Sequence, residues 1–530
     1  MARRGDQYVP LRNTLGARVA PVFGEIRHAT FLVRDPELGG LPNERLVQAV
    51  WHEQLLLTEN LRTCSGKSLK VLEPGRWNFE RGPDFLDAEL EIAGQRLRGD
   101  IEIHVKSSDW DRHRHGRDFE YNRVILHAFF RRDDALVVDT LHHGATIERL
   151  ELEPMLLSDL ETLSQSLEPE HLPAPPREHQ GACHGVFAEL DTGWLRKFFD
   201  EASAARMENK IARVVSQRQV ESLDQVLYQS MMTAMGHKSS RTLFYILAKR
   251  VRLEELRDIV FDIPSADLPL ALESVLMMVG GLLTLPKHAA ECGGPAVDDE
   301  TQAYLDSIYR WWSRLGGFYQ DRCLEPTKRW YAGVRPASFP PRRIAGVAHI
   351  LAQQSLRQSF VQLCRASLAN WLANPPRTAR DFRTLVAQLV SLFVPENPCY
   401  WRHRYTLGGR RMEHPMELIG KEQAYSIVFN ALLPVLFCDA RERKDELAEA
   451  LLWRIHDNFP ALQANAITRF MRGRLLGDTP RGTLNFRLEK TNQALLQLFQ
   501  DCCRNNSRDC SSCLFRTQAS EPRSVEEDSV

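Results

Sequence analysis

The sequence predicts an α+β protein, with an N-terminal α/β domain followed by a large, mostly α-helical domain. Three observations carry that expectation. Short segments alternating apolar and polar residues crowd between residues 68 and 140, which is the period of a strand. Longer segments of helical period succeed one another from about residue 194 onward. Between the two textures, SLEPEHLPAPPREHQGAC (166–183) is polar and Pro-rich, the composition of a linker. A chain of 530 residues also exceeds what one ordinary core organises, so two or more domains are the default.

Taken in order, residues 1–40 carry Arg and Pro with weak periodicity and read as a flexible arm. Residues 41–165 form the expected α/β domain. It opens with NERLVQAVWHEQLLLTENL, whose Leu46, Val47, Val50, Leu55 and Leu57 make an amphipathic helix. Strands are expected at Ser68–Leu72, Ala88–Ile92, Leu97–Val105, Val124–Phe130 and Ala135–Thr140, parted by Pro-Gly, Ala-Gly and Asp-Asp turn signals. Residues 166–185 are the linker. Residues 186–516 are the helical domain, with Trp194–Ser216, Arg343–Leu372 and Lys421–Leu436 among its helices. No equal-length repeat is evident, which argues against a regular solenoid. Residues 517–530 are an acidic, disordered tail.

Composition narrows the function classes. Hydrophobic residues make up 43% and charged residues 26% of the chain, as in soluble globular proteins. The net charge of −1 gives no global field for nucleic acid or membrane, so any such role rests on local patches. The apolar run from Leu268 to Leu285 is interrupted by Glu273 and Gly280–Gly281, and reads as a buried helix rather than a membrane span. MARRGDQYVPLRN lacks the apolar core of a signal peptide. Seven of the eleven cysteines are scattered singly, which suits reduced thiols. A cytoplasmic protein with no membrane partner is expected.

The chemistry concentrates in GPDFLDAELEIAGQRLRGDIEIHVKSSDW (82–110). Asp100, Glu102, His104 and Lys106 alternate with Ile101, Ile103 and Val105, so a strand would project the polar four together. The plain interpretation is an antiparallel strand with one wet face. Asp84, eighteen residues before Glu102, suggests another: two carboxylates on neighbouring strands converging on Mg²⁺ or Mn²⁺, with His104 or Lys106 assisting. Pro83-Asp84 followed by Glu102-Ile103-His104 resembles the PD-(D/E)XK nuclease superfamily over roughly residues 43–130. That resemblance implies a restriction-endonuclease-like domain, phosphodiester hydrolysis, and an extra metal-site carboxylate at Glu53. His104 stands where lysine is usual, so the lysine role falls to His104 or Lys106.

Directly downstream, SDWDRHRHGRDFEYNRVILHAFF gathers Asp109, His113, His115, Asp118 and His127. Histidine is the commonest protein metal ligand and a natural acid or base near neutrality. His104, His113, His115 and His127, with Asp109 or Asp118, are thus a rival zinc or iron site for a hydrolase or oxygenase. Trp110 and Tyr121 are expected as packing residues at its lip.

Several separated motifs are together similar to the bacterial domain-of-unknown-function 2851 proteins. They are GRWNFERGPDFLDAELEI with GDIEIHVKSSDWDRHRHGRDFEYNRVILHAFF, then ARMENKI (205–211), MGHKSSRTLFYILA (235–248), VRPASFPPRRIA (334–345), ELIGKEQAYSIVFNALLPVL (417–436) and CCRNNSRDCSSC (502–513). The similarity spans about residues 40–516 and implies one protein type, with no catalytic residue carried over.

Three features of the helical region remain. RPASFPPRR (335–343) is expected as a rigid loop before a helix at Ile344–Leu356, because prolines lack amide donors. Its Arg335 and Arg342 are candidate phosphate contacts, or partners of acidic neighbours. Arg206, Lys210 and Arg213, like the segment 401–414, form basic ridges that could follow a nucleic-acid backbone or simply be solvated. Cys503, Cys510 and Cys513, beside Cys502, are candidate ligands of Zn²⁺ or an iron–sulfur cluster, with Cys399 or Cys438 as fourth ligand; reduced or redox-active thiols are the alternative. The leading expectation is a metal-dependent nuclease acting on DNA or RNA. The alternatives are a His-rich metal hydrolase and a non-catalytic nucleic-acid-binding or assembly protein on a nuclease-like scaffold.

Overall fold

The computed structural model describes Arg4 and residues 41–503, apart from 58–60, 79–81, 161, 164–166, 168–182, 237–239, 260–261, 284–296, 327, 332–333, 357, 396–398 and 478–483. The expected arm, most of the linker, Cys510, Cys513 and the acidic tail lie outside the described residues. The class is the expected one: a seven-stranded mixed sheet precedes a mostly helical region.

The sheet is introduced by helix α1 (Glu44–His52). Asn43 caps it, its side chain accepting from the Leu46 amide at 2.8 Å, which satisfies one of the amides a helix start leaves open. Strands β1 (Leu69–Glu73), β2 (Arg76–Trp77), β3 (Phe85–Ile92) and β4 (Gln95–Lys106) follow. Both β1 and β2 pair antiparallel with β3, which pairs antiparallel with β4. Ala93 and Gly94, both at positive φ (50° and 81°), turn β3 into β4. Two successive left-handed residues match the twist of a tight hairpin, and glycine adopts that geometry without steric cost.

After β4 the topology changes. Helix α2 (Asp109–Arg112) and two 3₁₀ turns carry the chain to β5 (Val124–Arg131), which runs parallel to β4. Then β6 (Val138–Thr140) and β7 (Thr146–Glu151) complete the order β1-β3-β4-β5-β7-β6, with β7 parallel to β5 and antiparallel to β6. The strand expected at Ala135–Thr140 is shorter, since Leu136 and Val137 are exposed, and β7 was not anticipated.

By contacts the chain divides into two units. One runs to Glu208 and resumes at Ala464; the other is Asn209–Gln463. This differs from a helical domain spanning 186–516, because helical periodicity reports local structure and not the core a helix joins. In the first unit, Phe187, Leu195, Phe198 and Phe199 share one buried cluster with Phe470, Leu495 and Phe499.

Two prolines explain departures in the second unit. The helix expected from Ile344 starts at Pro340, because the first-turn amides have no intrahelical partner and proline fits there. The run Lys421–Glu442 is continuous, but Val428–Leu432 adopts a π turn. Pro434 cannot donate to the carbonyl four residues earlier, and a widened turn accommodates that loss. Lys421–Glu442 is the one described helix long and apolar enough to cross a membrane, and 78% of its apolar window is buried inside the protein.

Candidate metal centre

The expected half-wet strand is not what forms. Gly99 to Val105 of β4 are buried without interruption, with Asp100, Glu102 and His104 at 4, 5 and 1% exposure. The difference lies in the neighbours, since β4 sits inside the sheet between β3 and β5, and parallel pairing generally accompanies cover on both faces. Across the sheet Glu102 stands opposite His127, and His127 opposite Arg149. Residues opposite each other on paired strands share a face, so three strands present one buried polar row, with His104 one pleat beyond.

The β4–β5 connection brings two further imidazoles onto His104. Arg114, left-handed at φ 62°, separates His113 from His115. Gly116 follows because a Cβ there would lie 2.7 Å from the Thr140 carbonyl oxygen, so any side chain would push this turn off β6. Trp110 and Tyr121 pack beneath it in a cluster with Val124, Leu141 and Ile147, and the Tyr121 and His115 rings lie 3.9 Å apart. Both aromatics therefore pack as expected, although they are buried and not at a lip.

Around His104 Nε2 the polar atoms are close. His113 Nδ1 is 3.1 Å away and His115 Nε2 3.2 Å away. Glu102 Oε1 lies 3.5 Å from the same nitrogen and 3.2 Å from His115 Nε2. The three histidines offer ring nitrogens all within 4.8 Å of one another. One ring nitrogen has a single in-plane lone pair or proton, so it cannot hydrogen-bond properly with three partners at once. A shared cation would resolve the conflict. Ligands on a tetrahedral ion with bonds of about 2.0–2.1 Å stand ~3.4 Å apart, close to the spacings found. Burial lowers the pKa of His104 well below the ordinary imidazole value, reinforced by His127, His115, His113 and Arg112. The ring is thus neutral near neutrality, as a metal ligand must be. His113 is exposed while His104 and His115 are buried, so the centre opens to solvent on the His113 side.

The other expected site residues go elsewhere. Asp84 is buried, its Oδ1 accepting from Gln48 Nε2 at 2.8 Å and its Oδ2 from the Ile103 amide at 3.0 Å. Its own amide donates to Glu102 Oε2 at 3.1 Å. Asp84 thereby ties α1, β3 and β4 together and holds Glu102 in place. Asp109 accepts from the Lys106 amide, and Asp118 caps a 3₁₀ turn. The Lys106 ammonium acts on Asp133. Glu53 terminates α1 beside His52.

Arg342 is buried at 1% exposure and donates to the carbonyls of Trp401, Arg404 and Glu417, a structural role in place of the phosphate contact expected of it. Arg335 is exposed. Arg206, expected on a basic ridge, is buried against Gln493 and Gln500. None of the described cysteines, Cys502 and Cys503 included, is in a disulfide. Burial pushes the thiols of Cys399 and Cys438 up, to about 12 and about 11. Three residues that shape the site were missed: Gln48, Asp139 and Arg149. Each sits in a segment that reads as ordinary helix or strand, and only the tertiary pairing reveals it.

A family model described as "Protein of unknown function (DUF2851)" matches residues 44–463. The chain belongs to this family. No curated protein and no solved structure matches it. The DUF2851 match takes in both the sheet that carries the histidines and the whole unit Asn209–Gln463, so the histidine cluster lies within the matched residues.

Proposed function

We propose that this DUF2851 protein is a metal-dependent hydrolase whose cation is held by His104, His113 and His115, with Glu102 beside it. The observation that carries the reading is the convergence of two further imidazoles and a carboxylate on His104 Nε2 at 3.1–3.5 Å. A nitrogen-rich donor set suits Zn²⁺ or Fe²⁺ better than Mg²⁺, which prefers an all-oxygen octahedron. Asp84 would therefore support the centre from behind Glu102 and not ligate the metal. When bound, such a cation polarises a substrate oxygen and lowers the pKa of a coordinated water.

The protein's own groups supply the rest. Glu102 Oε2 is fixed by the Asp84 amide, which leaves Oε1 aimed at the histidines to ligate or to accept a proton from water. The exposed His113 lets substrate approach. Arg112, Arg114 and Arg117 are exposed on the same turn and favour an anionic substrate. Phosphodiesters of DNA or RNA fit that preference and the PD-(D/E)XK resemblance of the β3–β4 segment. Thiol-form cysteines throughout the described residues accord with a reducing, cytoplasmic setting.

The test is to strip the full-length protein, reload it with Zn²⁺, Fe²⁺, Mn²⁺ or Mg²⁺, and assay an activated phosphodiester together with single-stranded DNA and RNA. One equivalent of Zn²⁺ or Fe²⁺ with hydrolysis, lost in His115→Ala, is expected. Glu102→Gln separates its roles: retained metal with lost turnover marks a base, and lost metal marks a ligand. Wild type that takes up no metal, or hydrolyses nothing when loaded, refutes the proposal.

A further inference from the structure

We infer that His127, Asp139 and Arg149 form a buried positioning relay that commits His104 to one tautomer, protonated at Nδ1 with Nε2 bare toward the centre. The inference rests on reading that cluster as a metal centre, and it concerns residues that touch neither metal nor substrate.

The relay runs away from the centre through the sheet. His104 Nδ1 lies 2.9 Å from His127 Nε2, and His127 Nδ1 lies 2.6 Å from Asp139 Oδ2. Arg149 Nε makes an ion pair with the same Asp139 oxygen at 3.2 Å. The two terminal nitrogens of Arg149 reach Asp134 at 2.7 and 2.9 Å, and also the carbonyls of Leu136 and Ser107. His127 and Arg149 are fully buried and Asp139 is 4% exposed.

The proton positions follow from the far end. A carboxylate beside an arginine accepts hydrogen bonds and donates none. His127 Nδ1 must then carry the proton it donates to Asp139. Both rings are buried, His127 at 0% and His104 at 1% exposure, where an ionised imidazole is costly, and Asp139 already faces Arg149, so each ring is neutral and His127 holds only that one proton. Its Nε2 is therefore an acceptor, and His104 must donate from Nδ1. A neutral His104 is then left with a lone pair at Nε2, the atom facing His113, His115 and Glu102. Metal-binding histidines commonly have their second nitrogen anchored in this way, and such anchors are worth about 10–100-fold in metal affinity. Here the anchor is two residues deep and closed by an arginine, so the ligand tautomer exists before any cation arrives.

The test reads the tautomer directly in metal-free, full-length protein labelled with ¹⁵N-histidine, using long-range ¹H–¹⁵N correlations. His104 and His127 are assigned by the resonances lost in His104→Gln and His127→Gln. Both rings are expected as neutral Nδ1–H tautomers. In Asp139→Asn the amide donates to His127 Nδ1, which reverses the relay. His104 should then switch to Nε2–H, and Co²⁺ affinity, read from its visible absorption, should fall about 10–100-fold.

Wild-type His104 protonated at Nε2 overturns the inference outright, as does Asp139→Asn with an unchanged tautomer and Co²⁺ affinity within twofold. If Asp139→Asn fails to fold, the wild-type tautomers still decide. Wild type that binds no Co²⁺ while showing the expected tautomers, reversed in Asp139→Asn, would remove the metal-centre reading and leave the relay standing.

Discussion

Asp84 offers the sharpest contrast between two accounts of this site. In the structure both its oxygens are taken by buried donors, Gln48 Nε2 at 2.8 Å and the Ile103 amide at 3.0 Å. Hydrogen bonds to a charged group are worth about 1.5–3 kcal/mol each, and an orphaned buried donor costs a similar amount. Asp84→Ala removes both, so a loss of roughly 3–6 kcal/mol bounds the effect. Gln48 keeps a weak second contact, 3.4 Å to Glu44 Oε1, which places the expectation near the lower end. Asp84→Asn keeps one acceptor and should lose about half as much. A metal-ligand carboxylate predicts the opposite sign, because removing one of two adjacent anions relieves repulsion in the metal-free protein. Amide exchange of peptides from β4, followed by mass spectrometry, isolates this unit from Asn209–Gln463. Co²⁺ titration of the folded Asp84→Asn variant completes the comparison. Metal-free Asp84→Asn as stable as wild type, with affinity reduced about 100-fold, would refute the structural role assigned to Asp84.

Gly116→Ala places a Cβ 2.7 Å from the Thr140 carbonyl oxygen; it should displace His115 and weaken Co²⁺ binding at least tenfold, with near-wild-type binding as the contrary result. Arg342→Ala strands three carbonyls and should destabilise by about 3–5 kcal/mol, whereas Arg335→Ala at its exposed site should stay within about 0.5 kcal/mol, both read by urea unfolding. In the second unit, burial raises the carboxyl of Glu273 to about 7, its hydrogen bonds from Tyr304 and Trp401 opposing the rise. A raised acid holds its proton longer folded than unfolded, so stability is full below about 4.5 and lost as pH rises through about 7. Burial lowers His349, 3.8 Å from the Glu273 carboxylate, to about 4, which gives the reverse slope, so the comparison with Glu273→Gln is made in a His349→Gln background. Between pH 4.5 and 8 Glu273→Gln should gain about 3 kcal/mol on its His349→Gln parent, and parallel pH profiles would show that Glu273 titrates normally.

What the sequence made legible depends on the range of the interaction. Alternation in DIEIHVK and the Ala-Gly turn before it are local, and they located β4 and its hairpin because strand period and turn stereochemistry are written in neighbouring residues. HRHG drew attention for its ligand types, and the structure brings both of its histidines to His104. The contacts behind His104 were not legible, because His127 meets Asp139 and Arg149 only through the parallel pairing of β4, β5 and β7, and β7 has no marked alternation to announce it. The same blindness assigned Asp84 to metal and Arg342 to phosphate. Charged residues in a linear sequence look available, and burial is what commits them to neighbours. The histidines were recognisable from chemistry alone, while the role of each acidic and basic partner required the sheet. That asymmetry is physical: an imidazole has few uses in a buried cluster, whereas a carboxylate or guanidinium serves equally well to cap, to clamp or to catalyse until its hydrogen bonds are counted.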